Sequence, residues 1–476
     1  MSVFHVPCVS ATGKARPAPA LERLAQHIDA MRTGGVAGKD FERVERELHE
    51  HVVAVEREVL GEFLERLDVD VPSVEIEGRR YHRVLRSTES YTAAVGTVTA
   101  KRTLYRCKGE RAVVPMELRA GVVEGHWTPL AARQASCVVA QMTPSEGEAL
   151  LREFGNMAPS KSSLDRLPKG LGARWEANRE AFESTLREAM VVPEEAVTVA
   201  DSLDGVMVPM KDARRAEKRE RSRAAGRRAK GPAGYQEAGC ATLSFYDAEG
   251  ERLDTLSLAR MPEAKKATLK TMLSAELDTV LGRRPELQVV TVADGAHDNW
   301  RYLDVLAPDA TAVVDFYHAA EQLKSALDAR YGDNDAKGRA QFHKLRHILL
   351  DDCDGVEKVI RALAYQRKQF PRRKRIGEVL RYFRRNRHRM RYADTQARNL
   401  PVGSGVVEAA CKTLVTQRLK RSGMRWRHAG GQAILTLRSL LQSSRFGHAW
   451  ALLSETYRCE VMVPGNVVAF PRTRAA

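Results

Sequence analysis

LQVVTVAD, residues 287–294, reads as a strand buried on both faces: its Val and Thr run shows no polar alternation, and it stops at Asp294, ahead of Gly295. In an α/β sheet the carboxyl end of such a strand is where functional side chains are exposed. Working outward, Asp298 to Leu306 reads as a short helix and TAVVDFYH (311–318) as a further strand with Asp315 and His318 at its end. Upstream, Pro262 to Leu281 is helical. GCATLSFYD and ERLDTLSLA flank the turn DAEG (247–250) as a hairpin, and AVTVADSLDGVMV (196–208) is a strand pair or one bent strand. The order β, β, β, α, β, α, β predicts an α/β fold with a mixed sheet.

Three acids stand where elements end or begin: Asp204 in SLDG (202–205), Asp294 in VTVADG (290–295) and Glu408 in GSGVVEAACK (403–412). Asp204 shares a strand face with Val206 and Val208 by the period of two. Glu408 falls in the first helical turn after the cap Ser404, with Val407, Cys411 and Leu414 toward the core. Asp201 rivals Asp204 and Asp298 rivals Asp294, too close in sequence for spacing to decide. Oxygen-only ligands suit Mg²⁺ or Mn²⁺ rather than zinc. Two such ions about 3.5 to 4 Å apart activate a nucleophile and stabilise a leaving oxygen at a phosphodiester. Singly, each acid reads as a cap, a turn residue or a surface group; together, among basic segments, they point to metal-dependent phosphoryl transfer on nucleic acid. Asp315 and His318 read equally as auxiliary active-site residues and as a strand-end hydrogen-bonded pair. No GxSxG and no GxxxxGK[ST] string occurs.

The charge balance agrees with a polyanion partner: 77 Lys and Arg face 61 Asp and Glu, a net +16. Residues 211–230 hold ten Lys or Arg against three acids, and 211–235 reads as a mobile loop that grips phosphates through Arg214, Arg215, Arg227 and Arg228. In PRRKRIGEVLRYFRRNRHRMR (371–391), Ile376, Val379, Leu380 and Phe383 form an apolar stripe, and Arg372, Arg373, Lys374, Arg384 and Arg385 face nucleic acid. Lys412, Arg418, Lys420, Arg421 and Arg425, beyond the third acid, are expected to do the same. Seven cysteines, none in a CxxC pair, suggest a reducing cytoplasm rather than a disulfide framework. No apolar run reaches the ~20 residues of a membrane helix, so no membrane partner is expected.

The length suggests several domains. Residues 1–36 read as a disordered leader and 37–70 as a long amphipathic helix on the stripe Phe41, Val44, Leu48, Val52, Val55, Val59, Phe63 and Leu67, either a domain cover or a dimerising coil. Residues 71–125 read as a small β-module containing the strand GTVTAKRTLYRC (96–107). In the helical segment 126–190, Thr143 as N-cap with Glu146, then Ser160 capping a second helix with Lys161 and Arg166 outward, suggest a DNA-reading helix-turn-helix within an N-terminal α+β region. The catalytic core follows at 191–318, an all-α insertion at 319–400, the core's C-terminal helices at 401–446 and a tail at 447–476.

SLDGVMV, VVTVADGAHDNW, VVDFYHAAEQL and GSGVVEAACKTLVTQRLKRSGMRW together resemble bacterial insertion-sequence transposases of the ISKra family, relatives of the Mutator-like superfamily. The resemblance covers about Ala196 to Leu441, and more loosely the chain from about Arg79. It implies an RNase H-like core and a DDE transposase with Asp204, Asp294 and Glu408 as the triad holding two Mg²⁺ or Mn²⁺ ions. It places the superfamily's Asp-x-x-His on Asp315 and His318, and makes 319–400 the insertion domain. The partners implied are double-stranded DNA, both terminal inverted repeats and target, in a homodimer or larger assembly near the nucleoid. Relatives often carry paired cysteines upstream, where LYRCKGE offers only Cys107, so no structural zinc is expected. Two other readings stay open: an RNase H-like nuclease without strand transfer, and a domesticated, non-catalytic DNA-binding regulator.

Overall fold

A computed structural model of the chain describes residues 19–33, 40–211, 213–227, 234–333 and 335–464, with the side chains of 213–216 and 218 outside the description. These residues form two compact units. One comprises the chain up to Val138, Thr143–Leu167 and the chain from Leu452; the other comprises Val139–Met142 and Pro168–Ala451.

The first unit holds an antiparallel sheet, order β1-β2-β3, of β1 (Ser73–Ile76), β2 (Arg79–Ala93) and β3 (Gly96–Arg106). The helix Phe41–Arg66 lies on β3 through Val53, Gly61 and Leu64. The expected stripe is therefore corrected, with Phe41, Val52 and Phe63 at 67%, 46% and 56% exposure. The cause is steric: a Cβ at Gly61 would come 2.8 Å from the Thr99 carbonyl oxygen, so this glycine sets which face meets the sheet. Within the expected leader, Pro19–Thr33 is a helix whose Ala20 N–H donates to the Glu58 carboxylate at 2.7 Å; residues 1–18 and 34–36 lie outside the description. The caps behave as their spacing predicts. Thr143 Oγ1 accepts from the Glu146 N–H at 3.2 Å while Glu146 accepts from the Thr143 N–H at 2.9 Å, opening the helix Pro144–Glu153. Ser160 Oγ accepts from the Ser163 N–H at 3.2 Å, opening Lys161–Ala177 with Lys161 and Arg166 exposed. The expected tail begins inside a helix, Phe446–Glu455, and its residues 465–476 lie outside the description.

The second unit is mixed α/β. Its sheet has the order β6-β5-β4-β7-β8, formed by β4 (Thr198–Pro209), β5 (Tyr235–Tyr246), β6 (Arg252–Arg260), β7 (Gln288–Ala293) and β8 (Thr311–Val314). β4, β5 and β6 pair antiparallel. Asp247 Oδ1 tightens the β5–β6 turn by accepting from the N–H groups of Glu249 and Glu251 at 3.1 and 2.8 Å. β7 and β8 lie parallel to β4 because each follows a crossover helix, Ala267–Arg283 and His297–Leu306. Residues 198–209 are one strand rather than a pair. The strand expected over 311–318 ends at Val314, since Asp315 caps the helix Phe316–Tyr331 and puts His318 in its first turn. The segment expected as a basic loop contains the helix Ala213–Ala224; Arg228 and the side chains of Arg214 and Arg215 lie outside the description.

One apolar core joins Val199, Leu203, Val290, Val292 and Val313 of the sheet to Leu273, Trp300, Leu323, Leu363 and Phe383 of the helices. The all-α stretch expected as an insertion thus packs into the core of the sheet itself. Its stripe Ile376, Val379, Leu380 and Phe383 is buried as the 3.6-residue period predicts. A second cluster, on the strand face opposite Val199 and Leu203, packs Val208 and Cys240 with Val407, Cys411, Leu414 and Leu435. Among the described residues no helix is long and apolar enough to cross a membrane.

Candidate active site

β4 and β7 pair in register from Thr198↔Gln288 to Ser202↔Val292, so Asp204 and Asp294 each stand two residues past the last rung. Asp294 and Asp315 each stand one residue past the rung Ala293↔Val314. Three aspartates therefore occupy one level across adjacent parallel strands. Asp204 and Asp294 open on a cleft of about 700 Å³ whose wall also includes Glu237, Asp298, Lys265 and Lys270.

Asp294 is held by its own loop: Oδ1 accepts from the Ala296 N–H at 3.1 Å and from Asn299 Nδ2 at 3.3 Å, and its carbonyl accepts from Trp300 Nε1 at 2.6 Å. Asn299 Nδ2 also lies 3.4 Å from the Leu203 carbonyl oxygen, tying the Asp294 turn to the strand that carries Asp204. Asp204 Oδ2 accepts from the Cys411 thiol at 3.6 Å. Burial raises the Asp204 carboxyl above the usual carboxylate range; the Asp294 charge adds to the rise and the Gly205 N–H opposes it.

Alternation decides between Asp201 and Asp204. Asp201 shares the parity of Val199 and Leu203 and is wholly buried, accepting from Thr291 Oγ1 at 2.8 Å. Burial pushes its pKa up to about 7 from 3.8. The folded chain thus binds this proton more tightly than the unfolded chain, so the contribution of Asp201 to stability is intact below about pH 4 and is lost as pH rises toward 7. Asp201→Asn is expected to match the wild type in urea midpoint near pH 4 and to exceed it progressively above, by on the order of 4 kcal/mol at pH 8. A difference that does not change with pH would refute this. Asp298 also lines the cleft, but its side chain is 96% exposed, whereas Asp294 is anchored.

Glu408 lies on the helix Gly405–Ala410, exposed, with Oε1 accepting from Ser404 Oγ at 3.0 Å. Ser404 does not cap this helix with its hydroxyl as expected, because that hydroxyl is given to Glu408. The helix is pinned on both sides of Glu408, by the Ser404 N–H donating to Asp315 Oδ2 and by Cys411 reaching Asp204. The Glu408 carboxylate is not part of the cleft wall, and among the described residues no group of three or more His, Cys, Asp or Glu is placed to hold a metal ion. The structure brings two of the three acids to one cleft and sets the third beside it.

Asp315 is wholly buried and both its oxygens are engaged, Oδ1 by the His318 N–H and Oδ2 by the Ser404 N–H. Of its two readings, the hydrogen-bonded one describes it: Asp315 caps one helix and tethers another. His318 Nε2 lies 3.3 Å from Gln322 Nε2, and Gln322 Oε1 accepts from Arg375 at 2.8 Å. The Gln322 amide nitrogen, a donor only, is thus set against His318 Nε2.

Tyr382, Asn299 and Arg438 carried no functional signal in the sequence, and Arg385, expected to face nucleic acid, is exposed but gives a guanidinium N–H to the site's own backbone. Arg385 donates to the Gly295 carbonyl at 3.1 Å, and a Cβ at Gly295 would overlap the Tyr382 ring, so this glycine is what lets the helix Lys374–Asn386 approach Asp294. Tyr382 Oη is buried without a hydrogen-bond partner; burial, then Asp294 and Asp315, raise its pKa. Asn299 holds the strand ends as described. Arg438, 2% exposed, donates to the carbonyls of Leu414 at 2.8 Å, Ala140 at 2.6 Å and Thr413, holding the π-helical turn Cys411–Thr416 beside Asp204. Its one visible trait is a lone charge inside the apolar run AILTLRSLL.

Arg418 is corrected. It is 2% exposed, donates to the Val139 carbonyl at 3.2 and 3.1 Å and stacks 5.2 Å from the Trp426 ring centre, so it braces the fold instead of meeting phosphate. Arg227, Arg372, Arg373, Lys374, Arg384, Lys412, Lys420 and Arg425 are exposed, and Arg421 is half-buried. Compared with known proteins, the chain matches no family model and no curated protein.

Proposed function

We propose that the chain is a DDE transposase of an insertion sequence, of the ISKra and Mutator-like kind, with an RNase H-like core in its second unit. The observation that carries the reading is the matched level of Asp204 and Asp294 on neighbouring parallel strands, facing one cleft. Among the described residues neither carboxylate lies within ion-pair distance of a Lys or Arg, and the Asp294 charge adds to the rise of the Asp204 carboxyl. Such a pair fits a hard divalent cation, Mg²⁺ or Mn²⁺. The nearby Cys411 is a poor zinc ligand because hydrogen bonding with Cys240, burial and the Asp204 charge all push its thiol up, keeping it protonated. Glu408, exposed on a helix tied to both Asp204 and Asp315, is the third acid of this reading.

Held by Asp204 and Asp294, such cations would supply Lewis-acid activation of a water and a counter-charge for the departing 3′ oxygen, whose freed hydroxyl would then attack target DNA. The chain's own part is placement. Asn299 and the Ala296 N–H fix one oxygen of Asp294, the continuous strand β4 fixes Asp204, and Arg438 fixes the turn that carries Cys411. The exposed Lys161 and Arg166 on a capped second helix support a helix-turn-helix contact to the terminal repeats, and the arginine face of Lys374–Asn386 supports a duplex contact near the cleft. The assembly is a homodimer or larger, acting in the bacterial cytoplasm.

The test is a purified chain given duplex DNA with the inverted ends of its element and Mg²⁺. Nicks at those ends are expected, followed by products in which pre-cut 3′ ends are joined to a second duplex. Nicking without joining identifies a nuclease, and binding without any metal-dependent cleavage identifies a DNA-binding regulator.

A further inference from the structure

The wall of the cleft facing the aspartates carries Lys265, Lys266 and Lys270, none of them in the basic segments that stand out in the sequence. Lys265 and Lys266 have φ of 56° and 55°, the left-handed region that residues with a side chain seldom enter, and they precede the helix Ala267–Arg283. Glu263 Oε1 holds this turn by accepting from the Leu269 N–H at 2.9 Å. The turn crowds three ammonium groups together. Lys266 is committed, with Nζ 3.1 Å from Glu237 Oε1 and 3.3 Å from the Asp204 carbonyl oxygen. Lys265 is exposed, and Lys270 Nζ sits 5.0 Å from the centre of the Tyr302 ring; among the described residues no carboxylate lies within ion-pair distance of either. Burial, then Lys266, lower the Lys270 pKa, Lys265 adds to this, and Asp298 opposes it.

Like charges gathered on one wall of a cleft are stabilised by an anion between them and the facing acids. The cleft that carries these lysines also carries Asp204 and Asp294 and encloses about 700 Å³, the scale of a small-ligand site. We infer that Lys265 and Lys270 seat the phosphodiester backbone of a single, locally unpaired DNA strand and present it to Asp204 and Asp294, with Lys266 as the positioning residue that keeps the turn against β4. This rests on the catalytic reading above for the strand's fate, though not for its binding.

The experiment measures binding of a labelled single-stranded thymidine oligonucleotide of about 12 nucleotides to the full chain in Ca²⁺ across a salt series. Each single-strand phosphate contact adds about 0.7 to the slope of log affinity against log salt. K265A/K270A is expected to lower the slope by about 1.4 and to weaken binding about tenfold at low salt, with an unchanged melting curve as the folding control; K265R/K270R is expected to restore both. A double alanine variant that binds with the wild-type slope, and within twofold of its affinity, overturns the inference even if Mg²⁺-dependent cleavage is intact. A lowered slope in a chain that never cleaves supports the strand seat and overturns the transposase reading.

Discussion

Asp294→Ala and Asp204→Ala are each expected to lower Mg²⁺-dependent cleavage of element ends by on the order of 10³-fold, about 4 kcal/mol of lost transition-state stabilisation. Both side chains open on one cleft from the same level of two adjacent strands, so removing either leaves a divalent cation with half its rigid anchorage. DNA binding in Ca²⁺ is expected to change little, because the basic surfaces are untouched. Asp294→Asn is the sharper control: its amide oxygen still accepts from the Ala296 N–H, so the loop is kept while the charge is lost. Single-turnover cleavage of labelled ends reads the effect. Retention of activity within about tenfold in either alanine variant would sink the two-carboxylate site. Glu408→Ala tests whether the exposed third acid joins it, and an undiminished rate would leave Asp204 and Asp294 acting without Glu408.

Arg438→Ala is expected to destabilise the second unit strongly. The guanidinium is buried and shared among the carbonyls of Leu414, Ala140 and Thr413 and the side chain of Gln141, so truncation strands several buried acceptors at once. Charged hydrogen bonds of this kind make the loss on the order of 3 kcal/mol or more. Because the Leu414 and Thr413 carbonyls belong to the turn that follows Glu408 and includes Cys411, cleavage is expected to fall along with stability. Urea denaturation of the variant checks the first effect. Arg438→Lys supplies only one ammonium for divergent acceptors and is expected to recover little. A midpoint unchanged within error would mean that water replaces the guanidinium at no cost.

The readable parts of this chain were those that neighbours in sequence create. The β-branched runs of β4 and β7, the Thr143–Glu146 capping box and the stripe from Ile376 to Phe383 each depend on contacts within a few residues or on one period of side-chain direction, and each appears where its pattern placed it. Asp315 was legible as a functional-looking acid, and its polar partners then turned out to be two backbone N–H groups. Alternation could say that Asp201 and Asp204 point to opposite faces, but it could not say which of the two is sealed from solvent and which opens on a cleft.

That second kind of fact belongs to the assembled molecule. Asp201 is sealed because its face neighbours Val199 and Leu203 pack into a core shared with Leu273 of the helix Ala267–Arg283 and Trp300 of His297–Leu306, and the helix Phe41–Arg66 turns Val53 rather than Val52 inward because Gly61 lets it close on Thr99. Lys265, Lys270, Tyr382 and Arg438 reach the neighbourhood of the aspartates from segments distant along the chain, and Arg418 looked like its exposed neighbours until packing removed it from solvent. Helices, strands and caps come from short-range geometry written in adjacent residues; burial, charge environment and the sharing of a cleft come from which surfaces meet after the chain has folded, and no local pattern encodes those meetings.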